Sequence, residues 1–111
     1  MPLIVTLVAP TGDLGVEDCR SLREALRSAA DEPGLLVVDL FNVTSIGDAV
    51  VQVLVGATAR CAANGGRLVV ANAGAQPWSA LTRVHVAGAI RAHRRATPPL
   101  AELLELLLPE R

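Results

Sequence analysis

Apolar residues along this chain fall in short blocks separated by turn residues, and the spacing within the blocks alternates between two periods. Leu3-Ile4-Val5-Thr6-Leu7-Val8 is short, β-branched and stopped by Pro10-Thr11-Gly12, the pattern of a strand. Val16, Cys19, Leu22, Leu26 and Ala29 then recur at steps of three or four, with Glu17, Arg20, Arg23, Glu24 and Arg27 between them. That spacing predicts an amphipathic helix, closed by Pro33-Gly34. Residues 35–41 form a near-continuous apolar run, which predicts a strand covered on both faces.

A turn over residues 42–47 leads into 48–63, apolar on most sides at first and polar only near its end. A largely buried helix is expected there, stopped by Asn64-Gly65-Gly66. Residues 67–72 predict a third strand. Residues 76–86 predict a helix with Pro77 in its first turn, and 89–93 a short strand after Gly88. Leu100, Leu103, Leu104, Leu107 and Leu108 give 98–108 a core-facing stripe, with Glu102 and Glu105 toward solvent. The order β-α-β-α-β-α-β-α predicts an α/β fold: a central, mostly parallel sheet of about four strands flanked by about four helices. With 111 residues and no linker, the whole of 1–111 reads as one domain.

Composition narrows what such a domain can do. Phe41 and Trp78 are the only aromatics, so the core is aliphatic and base-stacking platforms for nucleic acid are lacking. The net charge of −1 argues against a polyanion binder acting through bulk charge. All ten basic residues are Arg, which removes lysine-based catalysis. Cys19 and Cys61 lie far apart, no secretory signal opens the chain, and both thiols are expected reduced in a cytoplasmic protein. The most apolar stretch, 49–59, contains Gln52 and stops at Arg60, short of the roughly 20 residues a membrane span needs. Charge is segregated: positions 1–48 hold eight acids and three arginines, whereas 49–101 hold six arginines and no acid.

Catalytic chemistry finds little support. His85 and His93 stand beside arginines late in the chain, while every acid lies in the first 48 residues or the last ten, so the sequence offers no nucleophile–His–acid arrangement. The same two histidines, eight apart with no nearby cysteine, do not make a metal site. Gly12-Asp13-Leu14-Gly15 has the strand-to-helix context of a dinucleotide turn, but it lacks a third glycine and Asp13 would repel phosphate. No enzyme, cofactor or metal is expected. The junction at Asn42-Val43-Thr44-Ser45-Ile46-Gly47-Asp48 is the better candidate, because sites in α/β folds gather where strands end and helices begin. Ser45 with Asp48 three residues on has the form of a capping box, so on local chemistry alone ordinary helix caps are the better account of both residues.

From about Val5 to Leu108 the sequence resembles a STAS domain of the bacterial anti-sigma factor antagonists. The resemblance is carried by Thr11-Gly12-Asp13-Leu14, Ser21-Leu22-Arg23-Glu24-Ala25-Leu26, Val37-Val38-Asp39-Leu40 and Val43-Thr44-Ser45-Ile46. It continues in Val53-Leu54-Val55-Gly56-Ala57 and Asn64-Gly65-Gly66-Arg67-Leu68-Val69-Val70-Ala71-Asn72. It implies a regulator of transcription that docks, without catalysis, on an anti-sigma factor of kinase fold, with Asp13, Thr44, Ser45, Gly47, Asp48, Ala49 and Gln52 on the docking surface. The alternative it implies is a structural STAS subunit of a transporter ATPase complex or of a stress-signalling scaffold.

Two departures from that family matter. Its members begin with an additional strand that this chain does not supply before Leu3, so the sheet edge is expected to be bare and open to pairing with a second copy. The antagonists also carry Asp-Ser-Ser-Gly at the start of the second helix, where the second serine is phosphorylated. Gly47-Asp48-Ala49-Val50 stands here instead, and Ala49 at the phosphoacceptor position has no hydroxyl. Asp48 would set a negative charge beside an incoming phosphoryl group, and Val50 is expected to crowd its approach. Restoring all four residues is therefore expected to restore phosphorylation, and Ala49→Ser alone is not.

Overall fold

The computed structural model describes residues 4–83 and 90–95. β1 (Val5–Val8) leads through β2 (Gly12–Leu14) and a single 3-10 turn at Val16–Asp18 into α1 (Cys19–Ala30). β3 (Leu35–Asp39), β4 (Val43–Ile46) and α2 (Asp48–Ala63) follow, then β5 (Arg67–Ala73), α3 (Ala75–Arg83) and β6 (Arg91–Arg94). The main sheet is parallel throughout, in the order β1-β3-β5-β6, and β2 pairs with β4 in a separate two-stranded parallel sheet. Each step across the main sheet advances by one strand in the same direction and passes through one helix. Crossovers of one hand then set the three helices side by side on one face, and α2 packs against both α1 and α3.

The core forms between that face and the helices. Leu36 and Val38 of β3 pair in register with Leu68 and Val70 of β5, and all four side chains are buried. Leu22, Leu26 and Ala30 of α1 and Val50, Val51, Leu54 and Cys61 of α2 close over them. The alternate residues Leu35, Val37 and Asp39 are only partly buried, so β3 is fully covered on one face, not on both as the apolar run implies. Gly34 is the residue the turn into β3 demands. Its φ of +115° is accessible to glycine, and a Cβ there would lie 2.3 Å from the Ile4 carbonyl oxygen.

At the carboxyl ends of the strands, buried Asn72 adopts φ +59° and donates from Nδ2 to Asp39 Oδ1 at 3.0 Å. The same carboxylate oxygen accepts the Phe41 amide at 2.9 Å, which ties the ends of β3 and β5 together. The Arg95 guanidinium stacks 4.6 Å from the centre of the Phe41 ring. Both cysteines are free and buried, and burial pushes the Cys61 thiol up from its ordinary range.

Several expected boundaries shift. The first helix opens as a 3-10 turn before Cys19, and the last described strand is Arg91–Arg94 in place of 89–93. The larger difference is that β2 begins at Gly12, the last residue of the turn expected at 10–12, and β4 lies within the turn expected at 42–47. Short strands of turn-forming residues carry little periodic signal, and what makes them strands is their pairing with each other across the fold. No helix among the described residues is long and apolar enough to cross a membrane. The expected helix at 98–108, the end of the 76–86 helix, His85 and Gly88 lie outside the described residues.

Candidate functional site

The small β2–β4 sheet builds the candidate surface. Parallel pairing sets Asp13 opposite Ser45 and Leu14 opposite Ile46, with a register shift after Gly12. Leu14 and Ile46 are buried and anchor the pair to the core, which turns the side chains between them outward. The Ser45 hydroxyl consequently donates to the Asp13 carboxylate across the two strands. The Gly47 amide then bonds the Leu14 carbonyl at 3.1 Å, and the chain enters α2 immediately.

Gly47 is the N-cap of that helix and offers no side-chain cap. Its carbonyl accepts from the amides of Val50 and Val51 at 3.1 and 3.2 Å. The expected Ser45–Asp48 capping box does not form. Ser45 lies in β4, engaged with Asp13, and Asp48 is the first residue of the helix. There the Asp48 charge complements the helix dipole, and Oδ1 lies 3.2 Å from an Arg83 guanidinium nitrogen at the end of α3.

α3 also holds the junction from behind. Gln76, in its first turn, accepts the Ile46 amide on Oε1 at 2.7 Å and donates from Nε2 to the Ile46 carbonyl at 3.0 Å. Its side-chain amide thus reproduces the two hydrogen bonds of a neighbouring strand on the outer side of β4. Neither Gln76 nor Arg83 was visible in the sequence, because nothing in 75–83 signals a partner thirty or more residues earlier.

The expected surface residues are brought together by this arrangement. Asp13, Thr44, Gly47, Asp48 and Gln52 are exposed, and Ser45 and Ala49 are half-buried. Val16, in the 3-10 turn that packs against α2, adds an apolar side chain that is 75% exposed. Val50 departs from expectation. It is 1% exposed and points into the core, so it does not crowd the approach to Ala49. The surface therefore combines two carboxylates, two hydroxyls, an amide and an exposed valine on a rigid strand–helix junction. Among the described residues, no cluster of three or more His, Cys, Asp or Glu side chains is placed to hold a metal ion.

This arrangement and the sequence both have counterparts among known proteins. No protein of curated function matches the sequence. Solved structures share the fold, and two of them illustrate it. A candidate anti-sigma factor antagonist from Thermotoga maritima superposes with a TM-score of 0.71 at 14% identity, over 95% of this chain and 90% of that one. A sulfate transporter family protein from Wolinella succinogenes gives a TM-score of 0.72 at 18% identity, over 96% of this chain and 89% of that one. The family model described as Mlab, STAS domain matches residues 4–107. With the parallel sheet, the strand-to-helix junction and a family match over nearly its full length, the chain belongs to the STAS family.

Proposed function

We propose that this chain, as a single STAS-like domain over 1–111, is a non-enzymatic, cytoplasmic protein-binding regulator of the anti-sigma factor antagonist type. Its partner on this reading is an anti-sigma factor of kinase fold, and its docking surface is Asp13, Thr44, Ser45, Gly47, Asp48, Ala49 and Gln52. The observation that carries the reading is the side chain at the start of α2. Ala49 occupies the phosphoacceptor position with a methyl group, half-exposed in the first helical turn beside Asp48. A phosphoryl group adds a charge of about −1.5 to −2, and that addition would block docking; a methyl group accepts none. The Ser45 hydroxyl lies in β4, paired with the Asp13 carboxylate, and not at the phosphoacceptor position in the first turn of α2. Docking is thus permanent where a relative's would be switched.

The test is to give the purified chain to a kinase-fold anti-sigma factor with ATP and to follow phosphate incorporation and binding together. Stable binding with no phosphate taken up is the expected result. Stoichiometric phosphate on Ser45 or Thr44 would sink the reading. A second reading, a permanent STAS subunit of a transporter complex, draws support from the likeness to the Wolinella succinogenes protein. Recovery from native cytosol bound to a transport ATPase, and not to an anti-sigma factor, would favour it. On either reading the exposed β1 strand, with Ile4, Val5 and Leu7 about half exposed, is the edge where a second copy would add.

A further inference from the structure

Away from the β2–β4 surface, the contact between α1 and α2 leaves a groove of about 280 Å³. It exists because the side chains shrink where the helices meet. Gly56 and Ala57 of α2 stand opposite Leu26 of α1, and a Cβ added at Gly56 would meet nothing within 4 Å. Leu26, Val53 and Ala57 make an apolar floor. Arg23 and Arg27, one helical turn apart on α1, form one rim, and Arg60 of α2 stands at the other. Among the described residues, no acidic side chain lines the groove. Arg60 is held by Asp31 at 2.8 Å, whereas Arg23 and Arg27 make no ion pair with any described residue.

A glycine in the middle of a helix costs roughly 0.5–1 kcal/mol relative to alanine. At Gly56 the backbone is helical and the space around it is open, so the fold itself makes no demand for glycine there. What the glycine preserves is room between the two rims.

The chemistry that fits is anionic and apolar at once. Phosphate sites draw on free backbone amides at helix N-termini. This groove lies along the middle of two helices, where the amides are used in the helices' own hydrogen bonds. Its donors are the guanidinium forks of Arg23, Arg27 and Arg60 with the Gln52 amide beside them. Such forks pair bidentately with carboxylate and phosphate alike, and the apolar floor between them favours a carboxylate carried next to aliphatic side chains. Arg23 and Arg27 are spaced to meet two carboxylates one turn apart, and the floor between them accepts an aliphatic side chain. We propose that the α1–α2 groove is a binding site for an acidic helical segment of a protein partner. The segment pairs two Glu or Asp side chains four residues apart with Arg23 and Arg27, and lays a Leu or Val over Gly56. The site is independent of phosphorylation control at Ala49. Gln52 borders both surfaces, so one partner lying along α2 could engage the two together.

The probe is a fluorescein-labelled, alanine-based helical peptide with glutamates four residues apart and leucines between them, followed by anisotropy at low and high salt. A peptide with glutamine in place of glutamate, inorganic phosphate and anionic phospholipid vesicles are run beside it. The full chain is compared with the Arg23→Gln/Arg27→Gln double variant and with Gly56→Leu. Glutamine keeps the helix propensity of arginine. Leucine fills the groove while removing a helix-destabilising glycine, so Gly56→Leu should melt at or above the parent temperature, which separates occlusion from unfolding. The expected result is saturable binding of the glutamate peptide that weakens with salt and falls at least about tenfold in either variant, a loss of about 1.4 kcal/mol or more. Absence of saturable binding overturns the proposal, as does equal binding of the glutamine peptide or binding unchanged in the variants. Tighter binding of phosphate or vesicles than of peptide overturns it too. None of these outcomes bears on the phosphate-incorporation assay, so the two proposals fail separately.

Discussion

The Gln76 clamp makes the sharpest structural prediction, because one surface side chain holds both backbone groups of a residue that is itself 2% exposed. Replacing Gln76 by alanine removes the acceptor 2.7 Å from the Ile46 amide and the donor 3.0 Å from the Ile46 carbonyl. Each such bond contributes about 0.5–1.5 kcal/mol net, so the pair sets a loss of about 1–3 kcal/mol. At roughly 4–5 °C per kcal/mol, the low end of the range for slightly smaller domains, the melting temperature should fall by roughly 4–15 °C. Gln76→Glu should cost at least as much as alanine. It keeps the acceptor but turns a carboxylate oxygen toward the Ile46 carbonyl, where a donor stood. Calorimetric melts give the stability, and amide hydrogen exchange shows where it is lost. The Ile46 and Gly47 amides should exchange faster in Gln76→Ala while those of β3 and β5 keep their relative protection. A melting temperature within about 2 °C of the parent, with Ile46 exchange unchanged, would show that the clamp does not hold the junction.

Other expectations follow from single sites. Ala49→Ser should fold with a melting temperature close to the parent, and a cognate kinase should phosphorylate it poorly beside Asp48. Gly47→Asp/Asp48→Ser/Ala49→Ser should accept phosphate and then lose partner affinity, since a Cβ at Gly47 makes only a 3.9 Å contact with the Leu14 carbonyl; phosphate taken up without loss of affinity would refute the charge toggle. Val50→Gly is left out of that variant because it would empty a core position and add a helix glycine. Asn72→Ala should cost about 1.5–3.5 kcal/mol in urea melts, through the lost Asp39 bond and a side chain that tolerates φ +59° badly. Asn72→Gly should cost less, and equal losses would remove the backbone part of the account. Cys61, whose thiol burial raises above its ordinary value of 9.0, keeps its proton in the folded chain while the unfolded chain releases it. Stability should therefore be full below about pH 9 and decline as pH rises toward the folded value. With no Lys or Tyr in the chain, little else titrates there, and Cys61→Ala should flatten the decline.

Much of this fold could be read from periodicity, and the parts that could not share one physical cause. α2 occupies 48–63 as its apolar pattern and the Asn64-Gly65-Gly66 stop require, and β3 and β5 are the β-branched runs between turn residues. These elements announce themselves because each buries its own stripe. β2 and β4 bury only Leu14, Val43 and Ile46, and consist otherwise of Gly, Asp, Thr and Ser. They become strands because Asp13 and Ser45, thirty-two residues apart, lie side by side. The same cause explains why Ser45 and Asp48 read as a capping box. Local spacing permits that cap, and the cross-strand partner Asp13 and the α3 residue Arg83 take the two side chains away from it. Val50 could have been placed correctly, since residues 50, 53, 54, 57 and 61 of α2 share one buried stripe.

The way the junction is held bears directly on what a methyl group at position 49 means for the proposed function. If the backbone there depended on a phosphoacceptor side chain, Ala49 would mark a surface in decay. None of the bonds that position it involves that side chain. Leu14 holds the Gly47 amide, Gln76 holds Ile46, Asp13 takes the Ser45 hydroxyl, and Arg83 faces Asp48. The methyl of Ala49 meanwhile packs against the core. On the proposed function, the shape of the docking surface and its capacity for phosphorylation are thus separable, and a single side chain removes the second while leaving the first. The proposed constitutive binding is consistent with this arrangement, because every contact that fixes the junction is independent of the side chain at position 49.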